Sequence, residues 1–140
     1  MAETTNFELV SPERLLLSQP VEMVVIPGSE GDIGVLPRHA PLITTLRPGT
    51  IAIYENNRVI RRIFVAGGFA EVTPERCTVL ADETVALEGA DRAAAEARLR
   101  AAREALAGAD TDEQRAAYTK AVNIAEELIA AMDRGEPALH

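Results

Sequence analysis

The amino-acid sequence changes in character near residue 88. Before this point, short runs rich in β-branched residues, such as VEMVVI, TIAIY and RVIRRIFV, alternate with segments of turn-forming residues. Runs that recur about every 8–10 residues are typical of an all-β sandwich or barrel. After this point the sequence is rich in alanine, and its apolar residues recur with the period of a helix. We therefore predict an all-β domain in residues 1–88, followed by a helical segment in residues 89–140.

The helical segment is predicted to form an antiparallel two-helix hairpin. Asp91 is the expected N-cap of the first helix, which ends near Ala107 before Gly108. Thr111 and Gln114 form a capping-box pattern at the start of the second helix. The expected apolar stripes are Ala95, Leu99, Ala102 and Leu106 in the first helix, and Ala117, Ala121, Ile124, Leu128 and Ala131 in the second.

The seam between the two predicted helices is mostly alanine. Because alanine buries little apolar area, such a seam is weaker than one built from leucine and isoleucine. Gly135 and Pro137 are expected to end the second helix. A weakly held hairpin detaches or repacks more readily than a well-packed core. The alternative, a static helical cap on the β domain, stays open.

Composition excludes several classes of protein. The chain has 140 residues, of which 47% are hydrophobic, which is enough for one packed domain and an appendage. A formal net charge of −8 argues against binding to nucleic acid, which requires a basic surface. The N-terminal MAETTNFELV carries no signal-peptide pattern, and no run approaches the ~20 apolar residues of a membrane span. These features predict a soluble cytoplasmic chain that contacts a membrane only through a complex.

The segment PGSEGDIGVLPRHAPLITTLRPG, residues 27–49, is the strongest candidate for a functional site. The spacing of Gly28, Gly31 and Gly34 matches neither phosphate-binding glycine motif. His39 has no second histidine or cysteine nearby, and Glu30 and Asp32 form an acidic tip on a glycine-rich loop. We therefore predict no catalytic residue, no metal site and no cofactor. The glycines and prolines instead predict stiff loops that serve as a contact surface.

Two adjacent glycines, Gly67 and Gly68, interrupt a predicted strand. One interpretation is a β-bulge or a corner of the sandwich, and the other is a place where another backbone approaches closely. Cys77, the only cysteine, lies in a predicted core strand and is interpreted as structural.

The motifs of the first part resemble a known family. GSEGDIGVLPRHAPLITTLRPG, VAGGFAEV and CTVLADET are closely similar to segments of the epsilon subunits of bacterial F-type ATP synthases. The resemblance covers nearly the whole chain, and the pattern G-x-x-G-x-L-P-x-H-A-P-L in residues 31–42 is long and specific. It implies a β-sandwich of about ten strands followed by a two-helix hairpin.

The resemblance also implies a place in the central rotor stalk. There the subunit binds gamma and the membrane-embedded c ring, so that ring rotation driven by protons reaches the catalytic alpha and beta subunits. The ring contact would lie on Ser29, Glu30, Gly31 and Asp32, with His39 on the neighbouring loop. Gly67 and Gly68 are the predicted gamma contact. The expected location is the cytoplasmic face of the bacterial inner membrane.

The family's hairpin is regulatory, and in its extended form it inhibits ATP hydrolysis through basic side chains that meet the beta subunits. Arg98, Arg100 and Arg103 are the candidates for this contact. The second helix is nearly balanced in charge, which argues against strong inhibition. Some members bind ATP through [IL]-D-x-x-R-A, and the related LEGADRA makes Arg92 a candidate nucleotide ligand, although its spacing departs from the motif.

Two other classes of function remain as alternatives. A small β-sandwich enzyme would show turnover by the isolated chain, and a free-standing adaptor with a helical arm would not co-purify with gamma.

Overall fold

The computed structural model describes residues 3–134, and the predicted helix stop at Gly135 and Pro137 lies outside them. Ten strands precede two helices. The strands are β1 (Thr5–Val10), β2 (Leu15–Val21), β3 (Met23–Gly28), β4 (Gly31–Val35), β5 (Leu42–Leu46), β6 (Gly49–Glu55), β7 (Arg58–Val65), β8 (Gly68–Thr73), β9 (Arg76–Ala81) and β10 (Thr84–Ala86). The helices are α1 (Arg92–Ala107) and α2 (Asp112–Arg134).

The strands form one sheet that folds over on itself into a sandwich. Its order is β10-β7-β6-β3-β5-β8-β9-β1-β2, and β4 pairs with β3 outside this path. Among the described strands, the pairs are antiparallel except that of β1 with β9. The predicted β-sandwich followed by a helical hairpin is confirmed.

Alternation of apolar and polar residues determines which face of each strand enters the core. In β1, Phe7 and Leu9 are buried, whereas Glu8 between them is only partly buried. Ile51 and Ile53 of β6 and Val79 of β9 belong to the same buried cluster. Removal of this apolar surface from water is the main force that holds the two halves of the sandwich together.

Asn56 and Asn57 form the two-residue turn that connects β6 to β7. Asn56 and Asn57 have φ of 54° and 61°. Asparagine tolerates this left-handed conformation better than most residues, and two such residues in succession match the twist of the flanking strands.

The hairpin has the expected caps. The Ala93 and Ala94 amides donate to the Asp91 carboxylate at 2.9 and 3.2 Å, and Gly108 is the C-cap of α1. At α2, the Gln114 amide donates to Thr111 Oγ1 at 3.0 Å. The Gln114 side chain accepts from the Asp110 amide, one residue earlier than in a standard capping box.

The hairpin packs on the outer face of β6, β7 and β10. Phe64, Ala66 and Leu87 from the sandwich meet Leu128 and Ala131 from α2 in a second apolar cluster. α1 contributes the buried Ala95 to this cluster.

The predicted α2 stripe needs one correction. Ala117 is exposed and Ala125 is fully buried, because the buried residues of α2, which are Ala125, Leu128 and Ala131, all lie in its C-terminal half. Within residues 3–134, neither helix is long and apolar enough to cross a membrane.

Candidate functional surfaces

The turn between β3 and β4 carries the residues of the predicted ring contact. Ser29 and Glu30 form the turn itself, and Gly31 and Asp32 begin β4. The Ser29 amide donates to the Thr45 carbonyl at 2.9 Å, and Thr45 Oγ1 donates to Ser29 Oγ at 3.0 Å. The turn is therefore fixed against the end of β5 while Glu30 remains exposed.

Arg47 holds the same turn from the other side. Its guanidinium donates to the Asp32 carboxylate at 2.6 Å and to the Gly28 carbonyl at 2.6 Å. A charge-assisted bond to the carboxylate, combined with a bond to the backbone, limits the motion of the turn. The predicted acidic tip is thus half neutralised, because Glu30 makes no ion pair within the described residues and Asp32 does.

His39 does not lie beside this turn, and the expectation that it sits on the neighbouring loop is wrong. β4 starts at Gly31 and ends at Val35, and the loop that carries His39 follows that far end. At about 3.3 Å per residue, β4 separates the two sites by at least about 13 Å. The amide of Arg38 donates to the Pro74 carbonyl, which places His39 at the opposite end of the sandwich.

Gly67 and Gly68 form a corner between β7 and β8, with φ of 121° and 132°. A Cβ on Gly68 would lie 2.1 Å from the Leu80 carbonyl oxygen. The close backbone approach predicted here therefore exists, but it is made by the neighbouring strand of the same chain. The glycine pair is therefore both a corner of the sandwich and a place of close backbone approach, and neither feature requires a partner protein.

The outer face of β5, β8 and β9 carries an exposed apolar surface that sequence reasoning missed. Ile43, Phe69 and Leu80 are 72%, 46% and 37% exposed. Phe69 pairs with both Thr45 and Leu80 across the sheet, so the three apolar side chains share one face. We name Ile43, Phe69 and Leu80 the apolar face. The signal that could have revealed it is their alternation with buried neighbours such as Ala70, which marks them as outward-pointing.

The predicted beta-contacting arginines differ in their surroundings. Arg98 makes two hydrogen bonds to the Glu83 carboxylate, at 2.7 and 2.8 Å. Arg103 pairs with Glu126 of α2 at 3.2 Å. Within residues 3–134, Arg100 makes no ion pair. Of these three arginines of the folded hairpin, Arg100 alone presents its charge to solvent without an acidic partner among the described residues.

The Arg98–Glu83 ion pair is half-buried, and each partner changes the pKa of the other. The hydrogen bonds from Arg98 lower the pKa of Glu83, and the same bonds raise the pKa of Arg98. Each group therefore remains charged near neutral pH, so the pair is an ion pair and not a neutral hydrogen bond. Within the described residues, no three His, Cys, Asp or Glu side chains come together to hold a metal ion.

Comparison with known proteins gives the family. Residues 4–87 match the model described as "ATP synthase, Delta/Epsilon chain, beta-sandwich domain". The ATP synthase epsilon chain of Rhodospirillum rubrum is 60% identical over 94% of this chain and 98% of its own length. The epsilon chain of Rhodospirillum centenum is 52% identical over 99% of this chain and 100% of its own. The chain belongs to the ATP synthase epsilon chain family. The predicted family is confirmed.

Solved structures agree with membership of the epsilon chain family. A chain of the Euglena gracilis mitochondrial ATP synthase, in a structure of its OSCP/F1/c-ring portion, superposes with a TM-score of 0.79 at 26% identity. The match covers 94% of this chain and 83% of that one. A chain of the Tetrahymena thermophila central stalk and c ring gives a TM-score of 0.63 at 14% identity, which supports the fold alone.

The candidate nucleotide ligand, Arg92, already forms an ion pair within the hairpin. Arg92 pairs with the Asp133 carboxylate of α2 and lies 3.9 Å from Glu96. A phosphate group at Arg92 would compete with Asp133 for the guanidinium. Nucleotide binding at Arg92 stays a prediction.

Proposed function

We propose that this chain is a non-catalytic subunit of the central stalk of a proton-translocating F-type ATP synthase. In this role it joins the c ring to gamma, and gamma carries the rotation to the alpha and beta subunits. The observation that carries the proposal is the epsilon-chain similarity, which covers 94% of the chain and therefore includes both the sandwich and the hairpin. The location would be the cytoplasmic face of the bacterial inner membrane, where the complex supplies the attachment.

The proposed ring contact is the turn of Ser29, Glu30, Gly31 and Asp32. Its hydrogen bonds to Thr45 and Arg47 support this assignment, since a contact that is already rigid loses little entropy on binding. His39 is left out of this contact, because it lies at the other end of β4. A stiff turn transmits torque better than a mobile loop.

The proposed gamma contact is the apolar face rather than the glycine pair. Gly68 begins β8, and the next residue, Phe69, is the first whose side chain points outward. The predicted contact at Gly67 and Gly68 is therefore moved to the strand that they introduce. Exposed aromatic and aliphatic side chains grouped on one face are typical of protein–protein contacts.

The hairpin is proposed to be a brake on ATP hydrolysis. In the folded form its apolar stripe is covered by Phe64, Ala66 and Leu87. In the extended form it would reach the beta subunits, with Arg100 accessible at once and Arg98 and Arg103 accessible after release from Glu83 and Glu126. When the hairpin extends, its apolar stripe loses the burial against the sandwich and the hairpin gains contacts with gamma and beta.

The test is to remove residues 89–140 from the assembled enzyme and measure ATP hydrolysis and proton-driven ATP synthesis. The sandwich alone should sustain assembly and synthesis, and hydrolysis should rise because the brake is gone. Loss of the whole chain should uncouple proton flow from synthesis. Unchanged coupling without the chain would contradict the stalk role, and unchanged hydrolysis after truncation would contradict the brake.

A further inference from the structure

Two side-chain contacts connect the hairpin to the sandwich through polar groups in residues 3–134. Arg98 of α1 donates to Glu83, which lies between β9 and β10, and Arg62 of β7 donates to the Ala131 carbonyl at 3.2 Å. α1 has few other contacts that hold it to the sandwich, since Ala95 is its one buried residue. The pairs made by Arg92 and Arg103 lie within the hairpin and do not hold it to the sandwich.

The acceptor of the first contact is itself fixed in place. The Ala66 amide donates to the Glu83 carbonyl at 3.0 Å, and the neighbouring Asp82 amide donates to the Gly67 carbonyl at 3.0 Å. These two bonds attach the β9–β10 connection to the glycine corner. The Glu83 carboxylate therefore projects from a rigid backbone toward α1. The two terminal guanidinium nitrogens of Arg98 each donate to one of its oxygens.

We propose that the Arg98–Glu83 pair is a latch that holds α1 on the sandwich and sets the population of the folded hairpin. The inference rests on the function proposed above, to which it adds the residues that control release. Most surface ion pairs contribute little, but a bidentate pair on a fixed acceptor is the exception. The pair lies where apolar burial is small, so it has a larger share of the attachment of α1 than it would have in a leucine-rich seam.

The latch gives Arg98 two opposing roles. In the folded form it stabilises docking, and in the extended form it is one of the arginines proposed to meet beta. A change at Arg98 alters both forms at once, whereas a change at Glu83 alters only the folded form. Glu83→Gln is therefore the informative variant, since it preserves the shape of the side chain and removes only the charge.

The direct experiment measures amide hydrogen exchange of the isolated full chain, which requires no ATPase. Glu83→Gln and Arg98→Gln should each accelerate exchange in α1 by about three- to tenfold, with the core strands unchanged. Arg100→Gln should leave α1 exchange unchanged. Glu75→Gln is the matched control, because it makes the same charge change in the exposed turn at the opposite end of β9. The exchanged pair, Glu83→Arg with Arg98→Glu, should recover slow exchange.

Equal exchange in α1 of Glu83→Gln and Glu75→Gln would overturn the latch. If a single variant also loses protection in the core strands, the exchanged pair decides: recovery supports the latch and persistent loss overturns it. In the assembled enzyme, Glu83→Gln should lower ATP hydrolysis, because more hairpins extend. Faster exchange together with unchanged hydrolysis would retain the latch and contradict the proposed brake, so the two failures are distinguishable.

Discussion

The Cα of Gly68 faces the backbone of Leu80 so closely that a Cβ would lie 2.1 Å from the Leu80 carbonyl oxygen. The same glycine has a φ of 132°, a conformation that residues with a Cβ rarely adopt. The glycine pair is therefore required by the fold of this chain, and any effect of its replacement on the complex includes an effect on folding.

We expect Gly68→Ala to destabilise the sandwich by more than the ~1–3 kcal/mol of a strained backbone alone, since the steric clash adds to that strain. Thermal unfolding of the isolated chain measures this loss. Gly31→Ala is the control, because Gly31 also has a positive φ, of 144°, but a Cβ added there would have no atom within 4 Å beyond those of the adjacent residues in the chain. Equal stability losses in the two variants would show that the steric clash with Leu80 does not contribute to the loss of stability.

Crosslinking distinguishes the two ends of the sandwich. In the assembled enzyme, Glu30→Cys should form a disulfide with a cysteine in the c-subunit loop and react poorly with alpha or beta. His39→Cys should fail to reach the ring, because it lies at the other end of β4. Burial raises the pKa of Cys77 to about 12, so this native thiol stays protonated and unreactive in both variants. A ring crosslink from His39→Cys, and none from Glu30→Cys, would mean that the opposite end of the sandwich faces the c ring.

The apolar face is tested by Phe69→Ser, with Ile60→Ser as control. Both residues are about half exposed, at 46% and 49%, but Ile60 lies on β7, away from the apolar face. We expect Phe69→Ser to weaken binding to epsilon-depleted F1 by about 2 kcal/mol, the loss typical of a central aromatic contact. Ile60→Ser should bind normally, and both chains should retain their unfolding temperature within a few degrees. If the two variants bind equally well, gamma docks elsewhere.

The latch should also depend on pH. Arg98 lowers the pKa of Glu83 in the folded chain below its usual value. A carboxyl with a lowered folded-state pKa stabilises the fold above its unfolded pKa, and this contribution is lost as the pH falls through the folded pKa. The difference in α1 exchange between the wild-type chain and Glu83→Gln should therefore be full at pH 7 and shrink as the pH falls below the ordinary pKa of a glutamate and through the lowered pKa of Glu83. A difference that stays constant down to acid pH would contradict an ionic origin.

Local patterns were sufficient to predict the fold class, both ends of α1 and the start of α2. The alternation in runs such as TIAIY predicts strands, and the caps at Asp91, Gly108 and Thr111 mark the ends of the helices. These features depend on residues within about four positions of each other, where backbone sterics and capping bonds act. The family resemblance, carried by the long motif of residues 31–42, added the partners that no periodicity implies.

The sequence by itself determined that a β-sandwich precedes a helical hairpin whose two helices meet mostly through alanine. Strand alternation, helix caps and alanine content can all be read from short segments of the chain. Only the tertiary structure decided what the candidate residues face. It placed His39 away from Glu30, gave Gly68 a partner in Leu80, and joined Arg98 to Glu83 across 15 positions of sequence. Such contacts depend on the order in which strands pair and on the rotation of each helix against the sheet, and neither is encoded in the spacing of neighbouring residues.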